Sequence, residues 1–280
     1  MANKVLVGVS GGVDSSVSAA ILKEKGYEVT GAFMKNWEDD DGTPYCSVKE
    51  DFLDAARVCD KLDIELIQLN FSKEYKEKVF EYFLASLKEG KTPNPDIFCN
   101  KFIKFEAFYD YAMTNNFDNI ATGHYCQLEQ KNDEYLLKKS QDQSKDQTYF
   151  LNDIEKEVLK KCIFPIGNIE KSEVRKIAKD KKLVTFDKKD STGICFIGER
   201  PFPDFLSNYL PQKKGDIFDE NSNLIGKHNG VHFYTLGQRQ GLGIGGVKGS
   251  SEQPWYVAAK DNLNNSLTVV QDNNLSLIHI

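Results

Sequence analysis

The sequence predicts an α/β protein in which a doubly wound parallel sheet is followed by a smaller, mostly β domain. The first observation is the run from Val5 to Val9, which is apolar, rich in β-branched residues and closed by a glycine-rich turn, as is typical of a buried parallel strand. The second is that helical patterns separate this run from further strand-like runs. The third is a change of texture after Pro201 and Pro203, where short β-rich runs are broken by glycine and asparagine.

Strands and helices alternate over roughly the first 125 residues. The first strand leads into a helix from about Asp14 to Lys25, which Gly26 ends. The same patterns predict further strands at 27–34, 64–70 and 119–122, and further helices at 49–62 and 74–88. Parallel strands joined by helices bind ligands at their carboxyl ends, so we expect the site at that edge of the sheet.

Composition shifts divide the chain into segments 1–203, 204–270 and 271–280. Within the second segment, β-rich runs lie at 232–236, 255–259 and 266–270. Residues 275–280 begin an apolar run and then stop, so we expect the chain to be cut rather than finished.

The composition excludes several classes of protein. Of the 280 residues, 40% are hydrophobic and 28% charged, as in ordinary globular proteins. No run approaches the roughly 18 apolar residues of a membrane helix, and the start resembles no signal peptide. Six cysteines without a Cys-x-x-Cys pair predict free thiols in a cytoplasmic protein and no zinc site. The net charge of −6 argues against nucleic-acid binding through the overall field, although 131–189 holds 15 basic against 11 acidic residues.

The strongest local signal is the glycine- and serine-rich turn after the first strand, at the start of the first helix. Its residues are Gly8, Val9, Ser10, Gly11, Gly12, Val13, Asp14, Ser15 and Ser16. Glycines let the backbone approach an anion, and the helix start supplies unpaired N–H groups with Asp14 or Ser15 as the cap. The turn lacks the Gly-Lys-Ser/Thr of a Walker A loop and the Gly-x-Gly-x-x-Gly of a dinucleotide fold. It resembles the loop of ATP pyrophosphatases, which release pyrophosphate and adenylate an oxygen of the substrate.

Two cysteine segments stand out. In Thr92 to Asn100, prolines flank Asn94, and a helix starting after Pro95 would place Asp96 and Cys99 on one face. In Lys188 to Arg200, cationic neighbours favour the thiolate of Cys195. A reactive thiol and an ordinary buried cysteine both remain open for each segment when its residues are taken alone.

Taken together, four motifs resemble the bacterial tRNA-specific 2-thiouridylases, and the similarity extends to about residue 270. The motifs are Ser10 to Ser16, Thr92 to Asn100, Lys145 to Leu151 and Asp190 to Arg200, supported by Tyr234 to Arg239 and Gly241 to Gly246. The resemblance implies a catalytic domain of the ATP-pyrophosphatase type with a tRNA-contacting insert at 1–203, a central β-rich domain at 204–270, and the start of a truncated β-barrel at 271–280.

The resemblance also implies ATP-dependent sulfur transfer to C2 of the wobble uridine. Cys195 would carry the sulfur as a persulfide, Cys99 would form a redox disulfide with it, and Asp96 would act as acid and base. By the same resemblance, ATP would meet Gly8 to Ser15 with Met34 and Gly123, and tRNA would meet Asn94, Pro95, Asp96, Lys145, Asp146 and Gln147. The implied cofactors and partners are ATP with Mg²⁺, the tRNA anticodon loop, a persulfide sulfur-donor protein and a cellular thiol reductant.

Two other functions stay open: an ATP pyrophosphatase that acts on a small molecule, like an NAD synthetase, and an inactive tRNA-binding module. Several single features also carry expectations. The aromatic residues at 102, 105, 108, 109 and 111 fit a buried helix face, and the basic run at 171–189 fits RNA contact or a solvated face. His124 fits a positioned loop residue, Cys46, Cys59, Cys126 and Cys162 are expected to be structural, and we predict no metal site built from the acidic run at 38–41 or the scattered histidines.

Overall fold

The computed structural model describes residues 2–38, 48–132, 134–190, 202–245 and 253–271. It divides into two compact units. The first unit comprises residues 1–80 and 95–199, and the second comprises residues 81–94 and 200–280. Among the residues described, no helix combines the length and the apolar character needed to cross a membrane.

The first unit is built on a five-stranded sheet whose strands all run parallel. Its strands are β1 (Lys4–Gly8), β2 (Glu28–Lys35), β3 (Glu65–Asn70), β4 (Asn119–Ala121) and β7 (Cys162–Ile163), in the order β3-β2-β1-β4-β7. The chain therefore moves outward in one direction from β1 to β3 and then crosses to the other side at β4. The predicted doubly wound parallel sheet is confirmed, and its strand order reverses between β1 and β4.

Several helices accompany this sheet in the first unit. They are α1 (Val13–Glu24), α2 (Val48–Leu62), α3 (Ser72–Tyr75), α5 (Pro95–Phe98), α6 (Phe108–Thr114), α7 (Lys156–Leu159) and α8 (Lys171–Asp180). One core cluster joins Val5 and Val7 of β1 to Leu22 of α1 and Ala55 of α2. A second joins Val17 of α1 to Val174 of α8, so α1 is packed from both sides.

Two helical runs contain π-helical turns that the sequence patterns did not predict. The predicted single helix at 74–88 is instead α3, a π-helical segment Lys76–Phe80, and α4 (Glu81–Lys88) of the second unit. The run after α5 continues as a π-helical segment Cys99–Ala107 before α6. Of the aromatic residues expected on its buried face, Phe105 and Phe108 are buried, while Phe102, Tyr109 and Tyr111 are half-buried. A π turn shifts hydrogen bonding to i→i+5, so the apolar face leaves the 3.6-residue period.

The lysine-rich stretch after β4 contains a further element that the sequence analysis did not predict. β5 (Cys126–Lys131) and β6 (Glu134–Lys139) form an antiparallel hairpin separate from the main sheet. Its residues are mostly half-buried or exposed, so they lack the continuous apolar run that identifies the buried strands.

The second unit contains a four-stranded sheet, with α4 and α9 (Phe202–Ser207). Its strands are β8 (Gly215–Phe218), β9 (Leu224–His228), β10 (Trp255–Asp261) and β11 (Ser266–Gln271), in the order β10-β11-β8-β9. The runs predicted at 255–259 and 266–270 are strands, but the run at 232–236 is not. A 3₁₀ turn at Val231–Phe233 stands there, because Gly230 at φ 137° turns the chain and the buried Val231 and Tyr234 are three residues apart. The expected barrel segment at 271–280 lies outside the described residues after Gln271.

We predict that Asn265 holds the second unit together at the β10–β11 turn. It adopts φ 49°, and its Nδ2 donates to the carbonyls of Lys213 and Lys214 at 3.0 Å each. Asn265→Gly should lower the free energy of unfolding by about 2 kcal/mol through the lost bonds, and Asn265→Ala by about 1 kcal/mol more because alanine is strained at this φ. Urea denaturation measures both changes.

Asn264→Ala is the matched control, because the Asn264 amide bonds only Asp261 within its own exposed turn. It should change the free energy of unfolding by less than about 1 kcal/mol. Equal effects of Asn264→Ala and Asn265→Gly would contradict the assignment.

Candidate active site

The glycine- and serine-rich turn lies at the point where the strand order reverses. β1 ends at Gly8 and α1 begins at Val13. We call Gly8 to Ser15 the phosphate loop, which comprises the end of β1, the turn and the first three residues of α1. Ser10 N donates to Ser15 Oγ at 3.1 Å, and Ser15 Oγ donates to the Gly12 carbonyl at 3.2 Å. These bonds hold the loop in a closed turn at the amino end of α1, which is the geometry that binds anions.

The predicted side-chain cap of α1 is wrong. The N-cap residue is Gly12, which makes no side-chain cap bond. The Asp14 carboxylate instead bonds Tyr125 and Lys171, and the Ser15 hydroxyl bonds the backbone of Ser10 and Gly12. The first turn of α1 therefore lacks a side-chain cap that would compete with a bound anion for its N–H groups.

Two more residues expected at the nucleotide site meet the phosphate loop. Met34 Cε lies 3.0 Å from where a Cβ on Gly8 would stand. A Cβ on Gly123 would stand 2.7 Å from Ser15 N and 2.9 Å from the Asp14 carbonyl carbon. A glycine is therefore required at 123, because a side chain would displace the first turn of α1. The structure brings Gly8, Met34 and Gly123 to the ends of three neighbouring strands.

A network of ion pairs surrounds Asp14. Lys171 Nζ lies 2.7 Å from Asp14 Oδ1, 2.8 Å from Asp14 Oδ2 and 2.8 Å from Asp190 Oδ1. The Tyr125 hydroxyl donates to Asp14 Oδ1 at 2.9 Å, and burial followed by the Asp14 charge raises the pKa of Tyr125. The Lys171 side chain is only 11% exposed, so these charges interact in a partly desolvated setting.

Asp190 is the point where the most cations converge. Besides Lys171, it receives Lys145 Nζ at 2.9 Å and Arg175 Nη2 at 2.8 Å. Burial raises the pKa of Asp190, but the bonds and charges of Lys171 and Lys145 outweigh it and lower the pKa to about 2. The carboxylate is therefore ionised at neutral pH.

Hydrogen bonds and ion pairs from α8 and α2 hold the segment that leads to Asp190. Arg175 Nη1 donates to the carbonyls of Phe186 and Lys188 at 3.2 and 3.0 Å. Lys188 pairs with Asp51 and Asp54 of α2 at 2.8 and 2.6 Å. The sequence analysis left RNA contact and a solvated helix face open for the basic run at 171–189. Neither prediction holds for Lys171, because its side chain is buried. Its partners lie far away in sequence, so no local pattern identifies them.

The proline segment folds as expected at its start. α5 begins at Pro95, Asp96 lies in its first turn, and Cys99 follows at the start of the π-helical segment. The Cys99 side chain is completely buried, and Asp96 is half-buried. Asn94, by contrast, belongs to the second unit.

The residues expected to meet tRNA at 145–147 make bonds within their own unit. Asp146 Oδ1 accepts from Ser140 N at 2.8 Å and from Thr148 Oγ1 at 2.6 Å. Gln147 Oε1 accepts from Tyr125 N at 3.0 Å. These side chains fix the turn after the hairpin, and the exposed Lys145 is the member that faces solvent while bound to Asp190.

The remaining cysteines of the described part behave as structural residues. Cys59, Cys126 and Cys162 are buried free thiols. Burial raises the pKa of Cys59 to about 11 and raises the pKa of Cys126 and Cys162 further. His124 is buried as well, with Nδ1 2.8 Å from Thr122 Oγ1, and burial together with Lys104 lowers its pKa well below the usual value.

Several predicted features lie wholly or partly outside the described residues: Cys195 with the rest of its motif after Asp190, Gly246, Cys46, and the acidic run beyond Glu38. Within the described ranges, no group of three or more His, Cys, Asp or Glu side chains is arranged to hold a metal ion. Sequence reasoning missed Tyr125, Asp142 and the role of Lys171. Asp142 Oδ2 accepts from the backbone N of Lys171 at 3.1 Å and so fixes the start of α8. The three residues are distant from the phosphate loop in sequence, and no spacing signal links them to it.

Comparison with protein families agrees with this architecture of an α/β domain followed by a β-rich domain. The family model described as tRNA methyl transferase HUP domain matches residues 3–199. The model described as tRNA methyl transferase PRC-barrel domain matches residues 203–271.

Individual relatives show which family the chain belongs to. The chain is 58% identical over 276 residues to "tRNA-specific 2-thiouridylase MnmA" of Francisella tularensis subsp. tularensis strain WY96-3418, covering 98% of this chain and 77% of the relative. The protein of the same name from subsp. novicida strain U112 is equally similar, with the same coverage. The chain belongs to the tRNA-specific 2-thiouridylase family. A distant similarity, with a TM-score of 0.43 and 15% identity over 74% of this chain and 49% of the other, links it to a 4-thiouridine synthetase solved as an RNA complex with bound ATP.

We predict that Gly123→Ala weakens ATP binding about tenfold or more, because the new methyl group collides with the backbone of Ser15. Gly245→Ala is the matched control, since a Cβ there meets no atom within 4 Å. Calorimetric titration with ATP measures both affinities. Equal affinities for the two variants would show that the close approach at Gly123 does not shape the site.

We predict that Asp190 stabilises the first unit in a pH-dependent way. Its pKa is lowered from 3.8 to about 2 on folding, so its contribution is fully present above pH 3.8 and is lost as the pH falls toward 2. Asp190→Asn should lower the free energy of unfolding by about 2 kcal/mol at pH 5 to 7, with a smaller difference from wild type below pH 4. Urea denaturation at several pH values tests this. A difference that grows as the pH falls would contradict the sign.

Proposed function

We propose that the protein transfers sulfur to C2 of the wobble uridine of tRNA at the expense of ATP and so forms 2-thiouridine. The observation that carries the proposal is the 58% identity, over 98% of the chain, to proteins named tRNA-specific 2-thiouridylase. The phosphate loop at the reversal of the strand order supports the ATP-dependent part, because a ligand of an α/β sheet binds at that point.

In this proposal the phosphate loop binds the triphosphate of ATP. Backbone N–H groups of the loop and of the first turn of α1 face the phosphates, with the hydroxyls of Ser10 and Ser15 beside them. Met34 and Gly123 contact the adenosine. Their closeness to Gly8 and Ser15 supports this assignment, since both lie at the carboxyl ends of strands that flank the loop.

Adenylation makes the uracil oxygen a good leaving group. The O2 atom of uridine bonds to the α-phosphorus of ATP while the bond to pyrophosphate breaks. Asn94, Pro95 and Asp96 hold the base, which must leave the anticodon-loop stack to reach them. Asp96 takes the N3 proton of the uracil as O2 is adenylated. Mg²⁺ would bind with the phosphates of ATP and neutralise the negative charge that develops as pyrophosphate departs.

The sulfur step uses two thiols. The terminal sulfur of a Cys195 persulfide attacks C2, and AMP leaves with the former O2. Cys99 thiolate then attacks Cys195 Sγ, which breaks the sulfur–sulfur bond to the base, releases 2-thiouridine and forms a Cys99–Cys195 disulfide. Two electrons from a cellular thiol reductant reopen the disulfide, and a persulfide sulfur-donor protein reloads Cys195.

Asp190 is close to Cys195 in the sequence. Cys195 is the fifth residue after Asp190, and a chain of that length spans at most about 18 Å even when fully extended. Asp190 is linked to Asp14 through Lys171. Lys145, Asp146 and Gln147 are proposed to contact tRNA from the neighbouring turn. Since tRNA is the substrate, we expect the protein in the cytoplasm.

The test is thiolation of tRNA with ATP, Mg²⁺ and a persulfide source, measured as retardation on a mercury-containing gel. Wild type should retard the tRNA, and both Cys99→Ala and Cys195→Ala should abolish the retardation because each removes one sulfur of the cycle. Cys59→Ala is the matched control and should keep activity, since Cys59 is a buried thiol in the core between α2 and β2.

Two results would contradict the proposal. Full thiolation by Cys195→Ala would remove the persulfide role. ATP–pyrophosphate exchange that proceeds without RNA, together with no thiolation, would favour an enzyme that adenylates a small molecule.

A further inference from the structure

The phosphate loop contains an acidic residue that opposes its own function. Asp14 is the second residue of α1, in the turn whose N–H groups would receive the phosphates of ATP. An ionised carboxylate there repels a polyphosphate, and the repulsion is strong where water is partly excluded. A loop with this sequence therefore needs a cation that neutralises Asp14 without occupying the anion's place.

Lys171 meets this requirement. Its ammonium contacts both oxygens of Asp14, at 2.7 and 2.8 Å, and its side chain is 11% exposed. Three features fix its direction: the start of α8 is held by Asp142, the ammonium lies 5.5 Å from the centre of the Tyr125 ring, and Asp190 binds it from the other side at 2.8 Å. Its position is thus determined by the fold and does not depend on a bound nucleotide.

The local balance of charge depends on this one side chain. Asp14, Asp190 and Asp142, which accepts from the backbone N of Lys171, are three carboxylates, and Lys171, Lys145 and Arg175 are three cations, so the charges of the cluster balance. Of the three cations, Lys145 and Arg175 are bonded to Asp190, so neither replaces Lys171 beside Asp14. Removal of Lys171 leaves the Asp14 carboxylate with the Tyr125 hydroxyl alone among the bonds described for its side chain.

We infer that Lys171 is a positioning residue for ATP: it neutralises Asp14 and so allows the phosphate loop to accept the triphosphate. This inference rests on the proposed ATP-dependent function. It predicts that loss of Lys171 weakens the binding of a ligand with phosphate groups more than the binding of a ligand without them. A residue that only holds α1 against α8 would affect the binding of both ligands equally.

The same two helices contain a matched control. Lys181, at the carboxyl end of α8, pairs with Glu24 at the carboxyl end of α1, as Lys171 pairs with Asp14 at the amino ends. Lys181→Met removes an equivalent lysine from the same helix pair, but far from the phosphate loop. Any effect that comes only from weaker packing of α8 on α1 should appear in both variants.

The experiment measures the affinities of the whole chain for ATP and for adenosine by calorimetric titration. Lys171→Met should weaken ATP binding about 10- to 100-fold, as expected for an uncompensated carboxylate at an anion site, and change adenosine binding less than about threefold. Lys181→Met should change neither. Lys171→Arg, which keeps the charge, should bind ATP within about tenfold of wild type.

A double variant shows whether Lys171 acts by neutralising Asp14 or by contacting the phosphates directly. It also shows whether the loss of affinity in Lys171→Met comes from a folding defect. Asp14→Asn with Lys171→Met removes both charges and should recover most of the lost ATP affinity. A double variant as weak as Lys171→Met would overturn the inference, as would equal losses for ATP and adenosine. If wild type binds ATP and Lys171→Met binds it equally well, this inference alone fails. If wild type binds no ATP, the proposed function fails with it.

Discussion

The buried ammonium of Lys171 between Asp14 and Asp190 is the interaction on which the first unit depends. A carboxylate that is partly removed from water is costly unless a cation and hydrogen bonds compensate it. Asp14 obtains both from Lys171 and Tyr125. Lys171 and Tyr125 are in turn held in place by other side chains. Asp142 accepts a hydrogen bond from the backbone of Lys171 at the start of α8, and Gln147 accepts one from the backbone of Tyr125. The turn after the hairpin is therefore positioned by the same charge that lies in the phosphate loop.

The parallel sheet explains why these groups meet. β1 and β4 are neighbours although more than a hundred residues of chain separate them, so the phosphate loop and the Gly123 turn emerge side by side. No side chain fits between the two turns, since a Cβ on Gly123 would stand 2.7 Å from Ser15 N. A side chain is excluded at Gly11 of the phosphate loop as well, because a Cβ there would stand 2.3 Å from the Asp51 carbonyl oxygen. The loop is shaped by backbone contacts, and its charge is then adjusted by side chains.

The sequence patterns predict the parts of the molecule that depend on local physics. Val5 to Val9 identify a buried strand by composition, and the glycines of the loop identify a close approach of backbone to an anion. The patterns fail where the structure depends on distant partners. Lys171 belongs to a basic run that suits solvent or RNA, but its partner Asp14 is 157 residues away. The hairpin β5–β6 escapes prediction for another reason, because its residues show neither the apolar alternation nor the apolar run from which strands are recognised. The run at 232–236 fails in the opposite way, because residues typical of a strand form a 3₁₀ turn after Gly230.

A sulfur-transfer enzyme with six cysteines must confine its chemistry to the intended thiols. The reactive species is the thiolate, so a thiol whose pKa is raised stays protonated and unreactive at neutral pH. Burial produces that effect at Cys59, Cys126 and Cys162. The segment with Cys195 has the opposite composition, since Lys188, Lys189 and Arg200 flank it in sequence. Unreactive thiols at Cys59, Cys126 and Cys162 and a cation-rich segment around the proposed persulfide residue Cys195 are two consequences of one rule. The environment of each sulfur determines its charge, and its charge determines whether it reacts.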